Sequence, residues 1–302
     1  MKESKNKIKV DFDRTPLKER MKAKFLNLYF FQQVAWYIFR LVLLIGISYI
    51  VLYPFFTKIA GSFMSPEDFV DVTVRLIPKH FTLDIYKAVL TELKYAEAFR
   101  NTFIISMLCG VLQTFVCCLI AYGLAKFRFR GNKLIFTAIL VFMMIPGQLG
   151  LIGFYNLCTK LHLVNSYLPL ILPAIAAPGT VFFLRQYVLS VMPPALIEAA
   201  RIDGLSEVRI FFQMFIPTMK STYAAAAVIT FMNAWNSYLW PKVIMTDNKA
   251  MTMPMLIANL ITGYVTDYGM LMCGVLFCSI PTMIVFFVLQ KQFAEGITGA
   301  VK

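Results

Sequence analysis

The chain has 302 residues, of which 59% are hydrophobic and only 15% charged, and it carries a formal net charge of +13. Soluble domains hold about a quarter charged residues and roughly half apolar ones, so a water-soluble globule is excluded and lipid must cover part of the apolar surface. In such a chain an excess of Lys and Arg points first to basic cytoplasmic loops and not to nucleic acid as a partner.

Residues 1–33 form a basic segment, expected to be cytoplasmic, with nine Lys and Arg. No cleavable signal pattern is present, because the apolar stretch that follows is too long for a signal h-region and lacks an A-x-A exit. The part from Pro16 to Trp36 mixes basic and aromatic residues and reads equally as an interfacial helix or as a solvated tail. A helix needs about 20 mainly apolar residues to cross the hydrocarbon core. Six stretches meet that length: Val34 to Phe56, Phe99 to Ala125, Leu134 to Leu157, Tyr167 to Leu189, Thr222 to Met245 and Gly269 to Leu289. The expected fold is therefore all-α and polytopic, one transmembrane domain over 34–302. Pro146 and Gly147 interrupt the third stretch, Pro169, Pro173 and Pro178 the fourth, and Pro281 the sixth. Such breaks survive where neighbouring helices or water satisfy the freed backbone, so helices packed around a cavity are expected.

Basic residues set the orientation. Nineteen Lys and Arg fall on the side of the N-terminal segment, among them Lys126, Arg128, Arg130 and Lys133 in the second connection; eight fall on the other side. The basic side is cytoplasmic, which places both termini inside and leaves two long extracytoplasmic loops, 57–98 and 246–268. The six cysteines lie in or beside apolar stretches and read as buried thiols. With histidine only at 80 and 162, no metal site is expected.

No Asp or Glu falls inside the six apolar cores, which disfavours an ion-coupled carrier, although backbone carbonyls can bind sodium. No cluster of acids, histidines or a nucleophile with its base suggests a membrane enzyme. The chain also lacks the phosphate-cradling G-x-x-x-x-G-K-[ST] loop, so an active transporter built on it must draw energy from another subunit through a cytoplasmic docking surface.

One cytoplasmic connection, 191–217, has the length for that. Pro193 and Pro194 suit the start of a short helix, Gly204 suits its left-handed end, and Ser206 can cap a second helix that runs apolar to Pro217. Ala199 and Ala200 offer a shallow surface, and Glu198, Arg201 and Asp203 offer charge for register. An amphipathic connector resting on the membrane surface is the alternative. In the fifth stretch Asn233, Trp235, Asn236, Ser237 and Tyr238 cluster; Asn233, Trp235, Asn236 and Tyr238 are candidates for the lining of a solute route, with interhelical bonding the competing role.

The string Glu198-Ala199-Ala200, then Gly204, then Ile216-Pro217 resembles the EAA loop of binding-protein-dependent ABC import permeases (E-A-A-x-x-x-G, nine residues, I-x-L-P), with Met214 and Ile216 as apolar departures. Phe183-Leu-Arg-Gln-Tyr187, Trp235-Asn236, Trp240-Pro241 and the tail Gly296 to Lys302 resemble the carbohydrate branch of that family, its six-helix partner in the maltose-type pair. The resemblance implies a type I importer permease fold and a second, homologous permease subunit. It also implies two ABC ATPase subunits docked through Glu198, Ala199, Ala200, Asp203, Gly204 and Pro217, and an extracytoplasmic solute-binding protein reached by the loop 246–268. The cargo would be a carbohydrate. No cofactor would reside in this chain, with ATP and Mg bound by the ATPase partners.

Overall fold

The computed structural model describes residues 28–74, 76–247, 250–261 and 267–299. Among them the architecture is helical, with one isolated bridge between Met64 and Phe81. The chain divides after Thr57 into two units. The first is built on α1 (Leu28–Gly61), whose side chains from Phe31 to Phe56 are all exposed. An apolar helix with no polar face is stable only in lipid or against other protein. Residues 16–27 of the proposed interfacial helix lie outside the described residues; Leu28 to Trp36 are the opening turns of α1 itself.

In the second unit, α2 (Pro66–Val70) and α3 (Asp84–Glu92) occupy the first long loop. Asp68, only 3% exposed, anchors that loop. Its carboxylate accepts from the Lys79 and His80 backbone N–H groups, each at 3.0 Å, and contacts His80 Nδ1 at 2.9 Å. Burial by itself would raise the Asp68 carboxyl; the hydrogen bonds from His80 and Lys79 outweigh it and hold the group below its ordinary 3.8. Lys79 also reaches Asp71 at 2.6 Å.

Helix α4 (Tyr95–Lys126) crosses the domain with a π-turn at Cys109–Gln113. The expected third span is not one rod. It consists of α5 (Asn132–Met144) and, after a 3-10 turn at Gly147–Gly150, α6 (Leu151–Lys160), with a bend of 88° between the two arms. Pro146 explains the bend, because it disfavours helical backbone at Ile145, which is extended with ψ 120. Short turns at Leu168–Ile171 and Pro173–Ala176 lead into α7 (Pro178–Val191). The connection 191–217 holds α8 (Pro194–Ile202) and a helical run from Glu207 to Thr218.

The fifth expected span is also cut short. Helix α9 (Lys220–Trp235) has 16 residues, and α10 (Leu239–Ile244) follows only after a break. Pro241 has no N–H to return to the Ser237 carbonyl, so the ladder cannot run through. Helix α11 (Met253–Ile261) folds back inside the second long loop, and α12 (Tyr268–Gly299) closes the chain. Among the described residues four helices are long and apolar enough to span a membrane, or five if the bent α5–α6 pair is one span. The third span bends where Pro146 and Gly147 were expected to interrupt it, whereas the fifth, expected to run unbroken from Thr222 to Met245, is broken ahead of Pro241.

The largest buried cluster joins α4 (Cys117, Cys118, Ala121), α7 (Val181, Leu184, Val188) and α9 (Ala226) to the connection 191–217 through Ile197, Ala200, Ile210, Phe211 and Phe215. Gly110 lies where α4 meets α9, and a Cβ there would make ordinary van der Waals contact, 3.5 Å from the Ala227 carbonyl oxygen.

Candidate functional site

The connection 191–217 forms a helix, a turn and a second helical run. Helix α8 begins with Pro193 at the cap and Pro194 at the first helical position, where the missing N–H costs nothing. It ends at Gly204, with φ +80. Leu205 N–H donates to the Ala200 carbonyl and Gly204 N–H to the Arg201 carbonyl, both at 3.0 Å. Those two bonds define a Schellman termination, with glycine at the left-handed position.

Glu198 and Ala199 are exposed on α8, together with Leu196 and Ile202, the last at 86%. Ala200 faces the other way. It is 4% exposed and packs with Ile197 into the membrane-helix core, so it cannot share the outward surface expected of the Ala199-Ala200 pair. A nine-residue helix with one face in the core exposes only the opposite face.

Ser206 occupies the cap position of the second run, but its hydroxyl makes no capping bond, and only its carbonyl accepts, from Ile210 N–H at 2.9 Å. Ile210–Phe215 is a π-turn, and Pro217 sits within helical backbone at Ile216–Thr218, not at a stop. Glu207, overlooked in the sequence, joins the parts: Arg201 Nε donates to it at 2.6 Å and Tyr122 Oη at 3.3 Å. That first bond raises the guanidinium further above its ordinary value. Lys126 at the end of α4 donates to the Met192 carbonyl. Asp203 is exposed at the end of α8.

A second feature lies within the membrane-spanning helices. A cavity of about 360 Å³ is lined by Thr102, Gln113, Thr230, Asn233, Ser237 and Thr252, with Phe154 and Trp240 among the apolar walls. Among the described residues its lining carries no charged side chain. The π-turn in α4 supplies Gln113, which donates to Thr180 Oγ1 at 3.0 Å; such turns re-aim one side chain without ending the helix. The break after α9 supplies Ser237 and Trp240, and the Trp240 ring meets Phe154 edge-on at 5.4 Å. Irregular backbone within a membrane protein is tolerated where it lines a cavity.

Of the four residues expected on a solute route, only Asn233 lines this cavity. Trp235 is fully buried; its Nε1 donates to the Cys278 carbonyl at 2.9 Å, and its ring stacks on Phe231 and meets Phe99 edge-on. Asn236 donates back to the Met232 carbonyl at 2.9 Å on an exposed surface, and the Tyr238 hydroxyl is engaged by Lys242. A tryptophan with its N–H and both faces occupied has a packing role.

The loop 246–268 is tied to the helices in its described part. Asn165, left-handed at φ 63, accepts from Thr246 N–H and Asp247 N–H at 2.7 and 2.9 Å. Thr102 Oγ1 accepts from Met253 N–H at 2.8 Å, and Asn101 donates to the Met251 carbonyl at 3.0 Å. Residues 248–249 and 262–266, and the end of the tail at 300–302, lie outside the described residues.

A membrane-embedded helical domain with an internal polar cavity and a helical connection packed against its core is the layout of a transport permease. The chain belongs to the binding-protein-dependent transport system inner membrane component family, whose model matches residues 97–299. It is 37% identical over 260 residues to the arabinooligosaccharides transport system permease protein AraQ of Halalkalibacterium halodurans, covering 85% of this chain and 93% of that protein. It is 37% identical over 204 residues to the lactose transport system permease protein LacG of Rhizobium radiobacter, covering 68% and 74%. A crystal structure of a bacterial ABC transporter involved in the import of the acidic polysaccharide alginate shares the fold, with a TM-score of 0.77 at 22% identity over 87% of this chain and 98% of that one.

Proposed function

We propose that this chain is one half of the membrane channel of an importer that brings a sugar or oligosaccharide into the cytoplasm, driven by separate ATPase subunits docked on the loop 191–217. The observation that carries this reading is the two-faced α8. Glu198, Ala199 and Ile202 face outward, while Ile197 and Ala200 share a buried core with α4, α7 and α9. A subunit pressing on the outer face moves the membrane helices with it, because a close-packed interior transmits displacement.

The cavity supports a sugar as cargo. Amide and hydroxyl groups at Gln113, Asn233, Thr230 and Ser237 match sugar hydroxyls, and the Trp240 face suits a pyranose ring. The names of the relatives, arabinooligosaccharide and lactose permeases, support the same class. In this reading a second permease completes the channel, an extracytoplasmic binding protein delivers the sugar, and two ATPases bind ATP and Mg. Both termini lie in the cytoplasm, with loops 57–98 and 246–268 outside, as the distribution of basic residues favours.

The test is reconstitution of the chain in liposomes with the permease, ATPase and binding protein encoded beside it. The expected result is ATP-dependent accumulation of labelled neutral oligosaccharide that requires the binding protein. Accumulation without ATP, or uptake of amino acids or phosphate in place of sugars, overturns the proposal.

A further inference from the structure

A cleft of about 860 Å³ lies between the connection from α4 to α5 and the inner end of α7, outside both features described above. Three separate elements line it with cations: Arg128 and Arg130 from the connection, Lys133 from the first turn of α5, and Arg185 from α7. Among the described residues no carboxylate is in the lining. Arg185 is the unusual member. It sits six residues before the end of α7, roughly 9 Å into the helix. Its guanidinium stacks 3.8 Å from the centre of the Phe136 ring, and its buried Nε has no hydrogen-bond partner among the described residues. A guanidinium fixed by a ring on one face, with donors unspent, is preorganised for an oxyanion. Beside the cations, Leu134 lines the cleft and is 74% exposed on α5, giving an apolar wall next to the charged floor.

We infer that this cleft is a binding site for an anionic phospholipid, with Arg185 and Lys133 on the phosphate, Arg128 and Arg130 at its rim, and the acyl chains along the outer face of α5. Charge complementarity selects the headgroup, and the apolar wall selects a lipid over a soluble anion. Basic pockets between membrane helices on the cytoplasmic side are the usual seats of such headgroups. Placement in the inner leaflet rests on the orientation proposed above; binding of the lipid does not.

The experiment is native mass spectrometry of the detergent-purified complex, with phosphatidylglycerol and phosphatidylcholine offered at equal concentration. Phosphatidylglycerol is expected to be retained preferentially. Each cation removed should weaken its retention about fivefold, so Arg128→Gln with Lys133→Gln, both at exposed positions, should lower it by about 25-fold. Arg185→Gln should lower it at least fivefold. Arg209→Gln, outside the cleft on the same side, should leave retention unchanged and thereby separates the cleft from a generally basic face. Equal retention of the two lipids, loss in Arg209→Gln as large as in the cleft variants, or displacement of the lipid by millimolar inorganic phosphate would each overturn the proposal. Retention confined to the isolated chain and absent from the complex overturns it as well, by showing that a protein partner covers the cleft. The readout involves no transport, so a failed uptake assay leaves it intact, and labelling of engineered cysteines decides the leaflet separately.

Discussion

A side chain at Gly204 should uncouple transport without disturbing insertion. The residue has φ +80, and a Cβ built on it meets nothing within 4 Å in this chain. The penalty of Gly204→Ala is therefore backbone strain alone, about 1–2 kcal/mol for an L-residue in the left-handed region. That energy corresponds to roughly a 5- to 30-fold shift in population. The chain escapes it by giving up the two terminating bonds from Leu205 and Gly204, which frays the turn carrying Ala200, Arg201 and Ile202. The assay is ATP hydrolysis stimulated by the loaded binding protein in the reconstituted complex, read beside uptake. Gly204→Ala should lower stimulation by about 5- to 30-fold, and Gly204→Val further because it is β-branched. Gly204→Asn should stay within about threefold of wild type, because Asn adopts this conformation readily. Equal loss in the Asn and Val variants would refute the reasoning, because it would assign the effect to bulk against a partner and not to backbone conformation. Wild-type behaviour of all three would make the loop a mere connector.

Other expectations follow from the same geometry. Asn233→Ala should reduce uptake with the complex fully assembled, whereas Trp235→Ala, which empties a fully buried site, should cost about 3–5 kcal/mol of stability and show first as a lowered thermal transition. The reverse pattern would exchange their roles. Asp68 is held below 3.8, so its contribution is fully present above that value and is lost as pH falls through the lower folded one. Hydrogen-exchange protection of the Lys79 and His80 amides should accordingly be flat from neutral pH down to about 4 and then collapse; loss at neutral pH would refute the anchor. In a cysteine-free background, an impermeant thiol reagent added to intact cells should label a cysteine at Asp71 or Asp267 and miss one at Arg130, and labelling at Arg130 from outside overturns the orientation.

The helical, membrane-embedded class and the Gly204 turn were legible in the sequence, because composition and a left-handed glycine leave local marks. The interruption of the third span at Pro146 was legible too, but the break in the fifth was not. A hydropathy window averages across Pro241, while one missing N–H is enough to break the helix. Burial direction was legible only in part. Ala199 and Ala200 are the same residue type side by side, and only the packing of Ile197 against α4 and α7 shows which of them faces inward. The cavity wall escaped because it is assembled across distance. Gln113 arrives through a π-turn, which has no sequence signature here, and Thr252 joins the lining through a loop that folds back so that Met253 N–H reaches Thr102. Trp235 looked like a sugar platform because aromatic rings serve both roles, and only the bond to Cys278 and the rings of Phe99 and Phe231 settle which one it fills. Glu207 was hidden among loop charges, with its partners Arg201 and Tyr122 lying in different elements.

The division of α8 into two faces also sets what evolution and engineering can rewrite. Under the proposed coupling role, positions 196, 198, 199 and 202 form the face that meets the motor, and 198 and 199 carry the Glu and Ala of the motif by which it docks. Positions 197 and 200 are bound to the helices behind them, since neither accepts a larger side chain without displacing a packed core. Fitting this permease to a different motor should therefore begin at Leu196 and Ile202, with the motif residues and the inward pair left as they are.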